Sequence, residues 1–142
     1  MFRKITDSVF ASPQIDVDAV AEASRLGIVR IINNRPEGES EDQTPGESIE
    51  AAARAAGIDY IAIPVGHSGF SQGQVEAMDA ALDAEGPVLA YCRSGTRSTL
   101  LWALASARAG DAPDVIAARA AEAGYDVTPI RALIDMLAAG HG

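Results

Sequence analysis

The sequence holds one cysteine, Cys92, and it opens the run Cys92-Arg93-Ser94-Gly95-Thr96-Arg97-Ser98. A sulfur followed by small polar residues, a glycine and two arginines suits nucleophilic attack on an anion. The thiolate is the reactive form, and guanidinium groups or a helix N-terminus lower its pKa from about 8.5 to roughly 3.5–7.5. The flanks supply both conditions. Pro87-Val88-Leu89-Ala90-Tyr91 is an apolar, strand-like run before the cysteine, and residues 99–105 are helix-like after it. Strand, tight loop and helix aim successive backbone N–H groups at one point. Cys92 is therefore expected to be the nucleophile. The loop of Arg93, Ser94, Gly95, Thr96 and Ser98 should cradle a small anionic substrate, and Arg97 should orient its charged end. Gly95 is expected to approach the ligand closely or to take a positive φ. Ser98 is expected to hydrogen-bond the thiolate or to cap the next helix.

Two chemistries use such a loop. Phosphate-ester hydrolysis wraps the equatorial oxygens and grips two of them with a bidentate arginine. Sulfur transfer instead loads one sulfane sulfur on the thiolate and stabilises the Cys–S–S⁻ that results. Four residues separate Cys92 from Arg97, and the next position is Ser98. This resembles the Cys-x4-Arg loop of single-domain rhodanese sulfurtransferases rather than the Cys-x5-Arg-[Ser/Thr] loop of protein tyrosine phosphatases. The spacing thus favours a sulfurtransferase that moves sulfane sulfur from thiosulfate or a persulfide to a thiol through a Cys92 persulfide. Hydrolysis of a phosphate ester through a Cys92 phosphocysteine is the first alternative. A sulfur-carrying binding module is the second.

Three further blocks extend the resemblance: residues 31–39 with Asn33-Asn34-Arg35-Pro36, residues 42–45, and residues 60–65 with Ile63-Pro64-Val65. Together with residues 86–98 they resemble the bacterial beta-lactamase hydrolase-like family, a phosphatase/sulfurtransferase group, over about residues 2–108. The resemblance implies a dual-specificity-phosphatase-like fold. It also implies a persulfide dioxygenase as candidate partner, because members occur alone or fused to such a domain. Phosphatases of this fold protonate the leaving oxygen with an aspartate on the loop before the cysteine strand. Here that loop, residues 64–71, has no carboxylate, and His67 is its one titratable group. An ordinary histidine pKa of about 6.5 would let it act as an acid near neutrality. Arg35, at the end of another strand-like run, is expected to reach the anion or to pair with Glu37 or Glu39. The acids of residues 37–42 read as a solvated loop.

The elements that position these residues follow a repeated grammar. Gly27, Gly57 and Gly86 each stand between a periodic segment and a β-branched or apolar run, as a helix C′ residue followed by a buried strand. Asp16 can cap a first helix, while Thr44-Pro45-Gly46-Glu47 and Ser71-Gln72-Gly73-Gln74 have the form of capping boxes. A short strand near residues 9–11 opens the sheet. Alternating strands and helices predict an α/β domain over residues 1–142, with a mostly parallel sheet covered by helices. Such sheets bind ligands beyond the carboxyl ends of their strands. From about residue 111 a helical tail follows, with segments at 113–123 and 129–139.

Charge and composition exclude other classes. A net charge of −9 argues against nucleic-acid binding, and the second tail helix has Arg131 as its one basic residue. No run approaches the roughly 20 apolar residues of a membrane span, and the start has no signal-peptide core, so a cytoplasmic location is expected. His67 and His141 stand apart, so neither a metal nor a cofactor is expected.

Overall fold

The computed structural model describes residues 2–140; Met1, His141 and Gly142 lie outside the described residues. Five strands form one sheet in the order β1-β2-β5-β3-β4. They are β1 (Arg3–Thr6), β2 (Val9–Ser12), β3 (Arg30–Asn33), β4 (Asp59–Ala62) and β5 (Val88–Tyr91). Only the β1–β2 pair is antiparallel. The mostly parallel sheet matches expectation, whereas β1 was not foreseen. Its residues Arg3-Lys4-Ile5-Thr6 bury only Ile5, too weak a pattern to mark a strand.

Register sets where the chemistry can sit. Tyr91 at the end of β5 lies beside Ser12 of β2 on one side and Asn33 of β3 on the other. The three strands therefore end at one height, and the segments beginning Pro13, Asn34 and Cys92 leave the sheet together. Alternation along the central strands builds a core on each face. Ile31, Leu89 and Tyr91 pack with Ile15, Val20 and Ile49 from the side of α1 (Val17–Arg25) and α2 (Gly46–Ala55). Ile32 and Ala90 turn the other way, toward α3 (Gln72–Leu82), α4 (Thr96–Arg108), α5 (Pro113–Glu122) and α6 (Arg131–Ala139). α4 is the most deeply buried helix, with Leu101, Trp102, Ala103 and Leu104 enclosed. Its alanines let α3 and α6 approach closely, and the tail helices form its outer cover.

Two of the three capping expectations match the structure. Asp16 Oδ1 accepts from Ala19 N at 2.9 Å, a cap worth about 1 kcal/mol. Ser71 and Gln74 make both arms of a capping box. The Thr44–Glu47 box does not form: α2 begins at Gly46, and the Glu37 carboxylate accepts from Gly46 N at 2.7 Å. Gly46 must lack a side chain there, because a Cβ would collide with Glu37 and crowd Tyr60 and Asn33. Gly86 likewise differs from expectation. α3 ends at Asp83 in an extended conformation, and Gly86 is small because a Cβ would lie 2.8 Å from Val29 Cγ1.

Among the described residues no helix is long and apolar enough to cross a membrane.

Candidate active site

Cys92 follows the last residue of β5, anchored by its N–H to Ser12 O at 3.3 Å. The chain then turns so tightly that Gly95 N donates to Cys92 Sγ at 3.1 Å. Gly95 achieves this with φ of +92° and serves as the N-cap of α4. Its carbonyl receives both Thr99 N and Thr99 Oγ1, which locks the first helical turn beneath the loop. The sulfur is fully buried at the base of the loop. Helix dipole and loop amides thus converge on it, as the strand-loop-helix pattern implied.

The loop side chains divide into distinct roles. Ser94 Oγ donates to Thr96 Oγ1 at 3.0 Å, and both residues, like Arg93, are exposed at the rim, while Gly95 between them is buried. Ser98 departs from expectation. It is 1% exposed, and its hydroxyl donates to Asn34 Oδ1 at 2.7 Å rather than to the thiolate. One turn into α4, its side chain faces the β3 exit, so the hydroxyl serves structure.

Arg97 is held from behind. Nη1 and Nη2 donate to the two carboxylate oxygens of Glu39 at 2.8 and 2.9 Å, and Nη1 also donates to Val65 O at 2.6 Å. An end-on fork to Glu39 leaves the side-on edge, Nε–H with the second Nη2–H, for an anion. The guanidinium is stabilised in its charged form mainly by the Glu39 hydrogen bond, against burial, with a further contribution from the Cys92 sulfur.

Glu39 is the residue that sequence reasoning missed. The acids of residues 37–42 were expected to be solvated, yet the Glu39 side chain is only 14% exposed. Arg97 and Arg35 hold its carboxyl at a pKa of about 2; the Arg97 hydrogen bond is the largest cause, and burial opposes it. Of the two expectations for Arg35, pairing with Glu39 is the one observed, and its guanidinium is spent on that segment rather than on the cradle. Arg35 is 4% exposed, with Nε on Glu39 at 2.9 Å, Nη1 on Gln14 at 3.0 Å and Nη2 on Ser40 at 3.1 Å. Gln43 clasps the same segment by accepting from Glu39 N and donating to Pro36 O. The irregular stretch after β3 is thus a clasped strap whose purpose is to present one carboxylate to Arg97. The Arg35–Glu39 pairing was a sequence-level option; the longer bridge to Arg97 had no local signal.

His67 stands on the loop after β4 with its side chain 83% exposed and Nε2 3.6 Å from Glu39 Oε2. Glu39 itself is ionised at neutral pH, its carboxyl held down by Arg97 and Arg35. One residue ties the arrangement together. Asn34, fully buried, donates its N–H to Tyr91 O at 2.8 Å, accepts Val65 N on its carbonyl at 2.9 Å, and donates Nδ2 to Ile63 O at 3.0 Å. With Ser98 on Oδ1, it joins β5, the β4 exit loop and α4. A cleft of about 820 Å³ lies elsewhere, lined by Asp7, Glu76, Asp79, Asp83 and Asp111 with Arg108 and Arg119 beside them. That acidic lining does not suit an anionic substrate, and the cleft holds none of the loop residues.

Comparison with known proteins agrees with this architecture. A protein of Xylella fastidiosa described as beta-lactamase hydrolase-like is 37% identical over 101 residues, which is 70% of this chain and 23% of that protein. The chain therefore spans about a quarter of the length of this relative. A solved candidate phosphatase of Neisseria meningitidis superposes with a TM-score of 0.83 at 34% identity, covering 95% of this chain and 96% of its own. Another, from Shewanella putrefaciens, has a TM-score of 0.78 at 24% identity, covering 99% and 90%, and shows the shared fold. The expected phosphatase-like α/β fold is thus observed, while sulfur transfer and a dioxygenase partner find no support among these relatives. The profile of the beta-lactamase hydrolase-like protein, phosphatase-like domain, matches residues 1–109, and the chain belongs to that family.

Proposed function

We propose that the chain hydrolyses phosphate monoesters through a phosphocysteine on Cys92. The observation that carries this reading is the Arg97–Glu39 fork. It fixes a guanidinium beside a buried sulfur and leaves its side-on edge for two oxygens of a phosphoryl group. The Cys92 thiolate attacks phosphorus as the ester P–O bond breaks. The leaving oxygen takes its proton from protonated His67 or from water. Water then attacks the phosphorus of the phosphocysteine, the P–S bond breaks, and inorganic phosphate and the thiolate are regenerated. Arg97 and the loop N–H groups stabilise the charge on the transferring group in both steps. The phosphatase-like relatives support this choice over sulfur transfer.

Sulfur transfer remains the second reading on one observation, the four-residue spacing between Cys92 and Arg97. Intact mass and product release separate the two. Incubation with p-nitrophenyl phosphate should release phosphate and leave a trapped phosphoryl adduct, with both absent in Cys92→Ser. A sulfur adduct after thiosulfate or glutathione persulfide, with no Cys92-dependent phosphate release, would overturn hydrolysis in favour of transfer.

A further inference from the structure

The tail beyond the matched stretch sends one side chain to the cysteine loop. Tyr125 follows α5 and is 9% exposed; its hydroxyl donates to Ser94 O at 3.2 Å. A Cβ on Gly95 would overlap that same hydroxyl, so the phenol sits directly against the Gly95 backbone. The peptide joining Ser94 to Gly95 is trans and planar, so its C=O and N–H point in opposite directions. Tethering the oxygen outward on Tyr125 therefore aims the N–H inward at Cys92 Sγ, where it bonds at 3.1 Å. A flip of this peptide would turn the carbonyl oxygen on the thiolate. Glycine, at φ of +92°, has the freedom to permit that flip.

Tyr125 is itself fixed from β1. The Arg3 guanidinium lies 5.3 Å from the centre of its ring, and Arg3 Nη1 donates to Ala123 O at 3.1 Å. Tyr125 N closes the turn on Ala120 O at 2.9 Å. Arg97 from α4 and Tyr125 from the tail are ionisable groups that interact with Cys92, while Glu39 and His67 stand behind Arg97. Burial pushes the phenol up, Arg3 opposes this and the Cys92 charge adds to it, so Tyr125 stays a protonated donor.

We infer that Tyr125 is a positioning residue that holds the Ser94–Gly95 peptide with its N–H on the Cys92 sulfur and so maintains the thiolate. The inference rests on Cys92 being the nucleophile, whichever anion it attacks. The test is the pH profile of Cys92 alkylation by iodoacetamide, on the full chain, for wild type and Tyr125→Phe. This reading involves no substrate. Loss of one neutral hydrogen bond, about 1 kcal/mol, should slow alkylation about fivefold on the acid limb of the profile. On the alkaline plateau the rates should agree, and the profile should simply lie at higher pH. Superimposable profiles would overturn the inference while leaving the nucleophile in place. Phosphate release from p-nitrophenyl phosphate that survives Cys92→Ser would overturn the nucleophile, and the inference with it. Should Tyr125→Phe fail to fold, amide exchange of Gly95 in wild type, labelled with ¹⁵N-glycine, decides: protection supports the tether, and exchange at the open-chain rate refutes it.

Discussion

Replacing Glu39 with glutamine keeps the size of the side chain and removes the charge that two arginines share. Arg97 is 13% exposed and Arg35 4%, so the variant leaves two enclosed guanidinium groups facing each other across a neutral amide. Breaking a buried pair on one side costs about 3–5 kcal/mol. Linkage gives an independent figure. Lowering the carboxyl from 4.5 to about 2 caps its contribution at about 3 kcal/mol, at about 1.4 kcal/mol per tenfold. Glu39 lies at the mouth of the site, where solvent screens part of this, and a loss of about 2 kcal/mol is expected. Its pH dependence is specific. A carboxyl whose folded value lies below its unfolded one stabilises fully above 4.5, and the gain disappears as pH falls toward about 2. Urea unfolding of wild type and Glu39→Gln should show a gap of about 2 kcal/mol at neutral pH that narrows below about pH 4. Equal stability at neutral pH, or a gap unchanged in acid, would refute the reasoning. The kcat/KM for p-nitrophenyl phosphate should fall in parallel, because Arg97 loses the contact that turns its free edge to the substrate.

Three other substitutions probe separate parts of the site. Arg97→Lys cannot supply an end-on fork to Glu39 and a side-on fork to phosphate together, so kcat/KM should drop about 10²–10³-fold; a drop within tenfold would count against the fork. His67→Asn should slow hydrolysis of phenyl phosphate about 10²-fold yet spare p-nitrophenyl phosphate, whose leaving group needs no proton. An equal effect on both esters would remove His67 from proton delivery. Gly95→Ala forces a side chain into φ of +92° and against Tyr125, and urea unfolding should register a loss of at least about 1–3 kcal/mol. A stable Gly95→Ala protein with intact activity would mean that the loop adopts another path.

Much of the architecture was legible because its signals are local. Asp16 and the Ser71–Gln74 box announce helix starts through side chains that bond within three residues, and the apolar runs of β3 and β5 need no distant partner to be recognised. The failures share the opposite cause. Thr44 had the right type and spacing for a cap, but Glu37, nine residues before Gly46, took the helix N-terminus first. Glu39 belongs with Arg97, fifty-eight residues away, and nothing in a charged loop separates a structural acid from a solvated one. Ser98 was misplaced because α4 starts at Thr96, which rotates its side chain toward Asn34. The four-residue spacing of the loop was read correctly as a spacing, but the chemistry assigned from it outran what the relatives support. Tyr125 drew no notice at all, since a helical tail suggests packing and its contact with Ser94 exists only in three dimensions.

The buried amide of Asn34 has a consequence for how this protein fails. In many enzymes the residues that bind substrate sit on loops that open locally, long before the core does. Here the exits of three strands and the first turn of α4 are sewn to one residue, by its backbone and its side chain, with no exposure to solvent. The site is therefore expected to open together with the core rather than ahead of it. Loss of Cys92 reactivity and loss of secondary structure should trace a single denaturation curve, so that any fraction of protein still folded is fully armed.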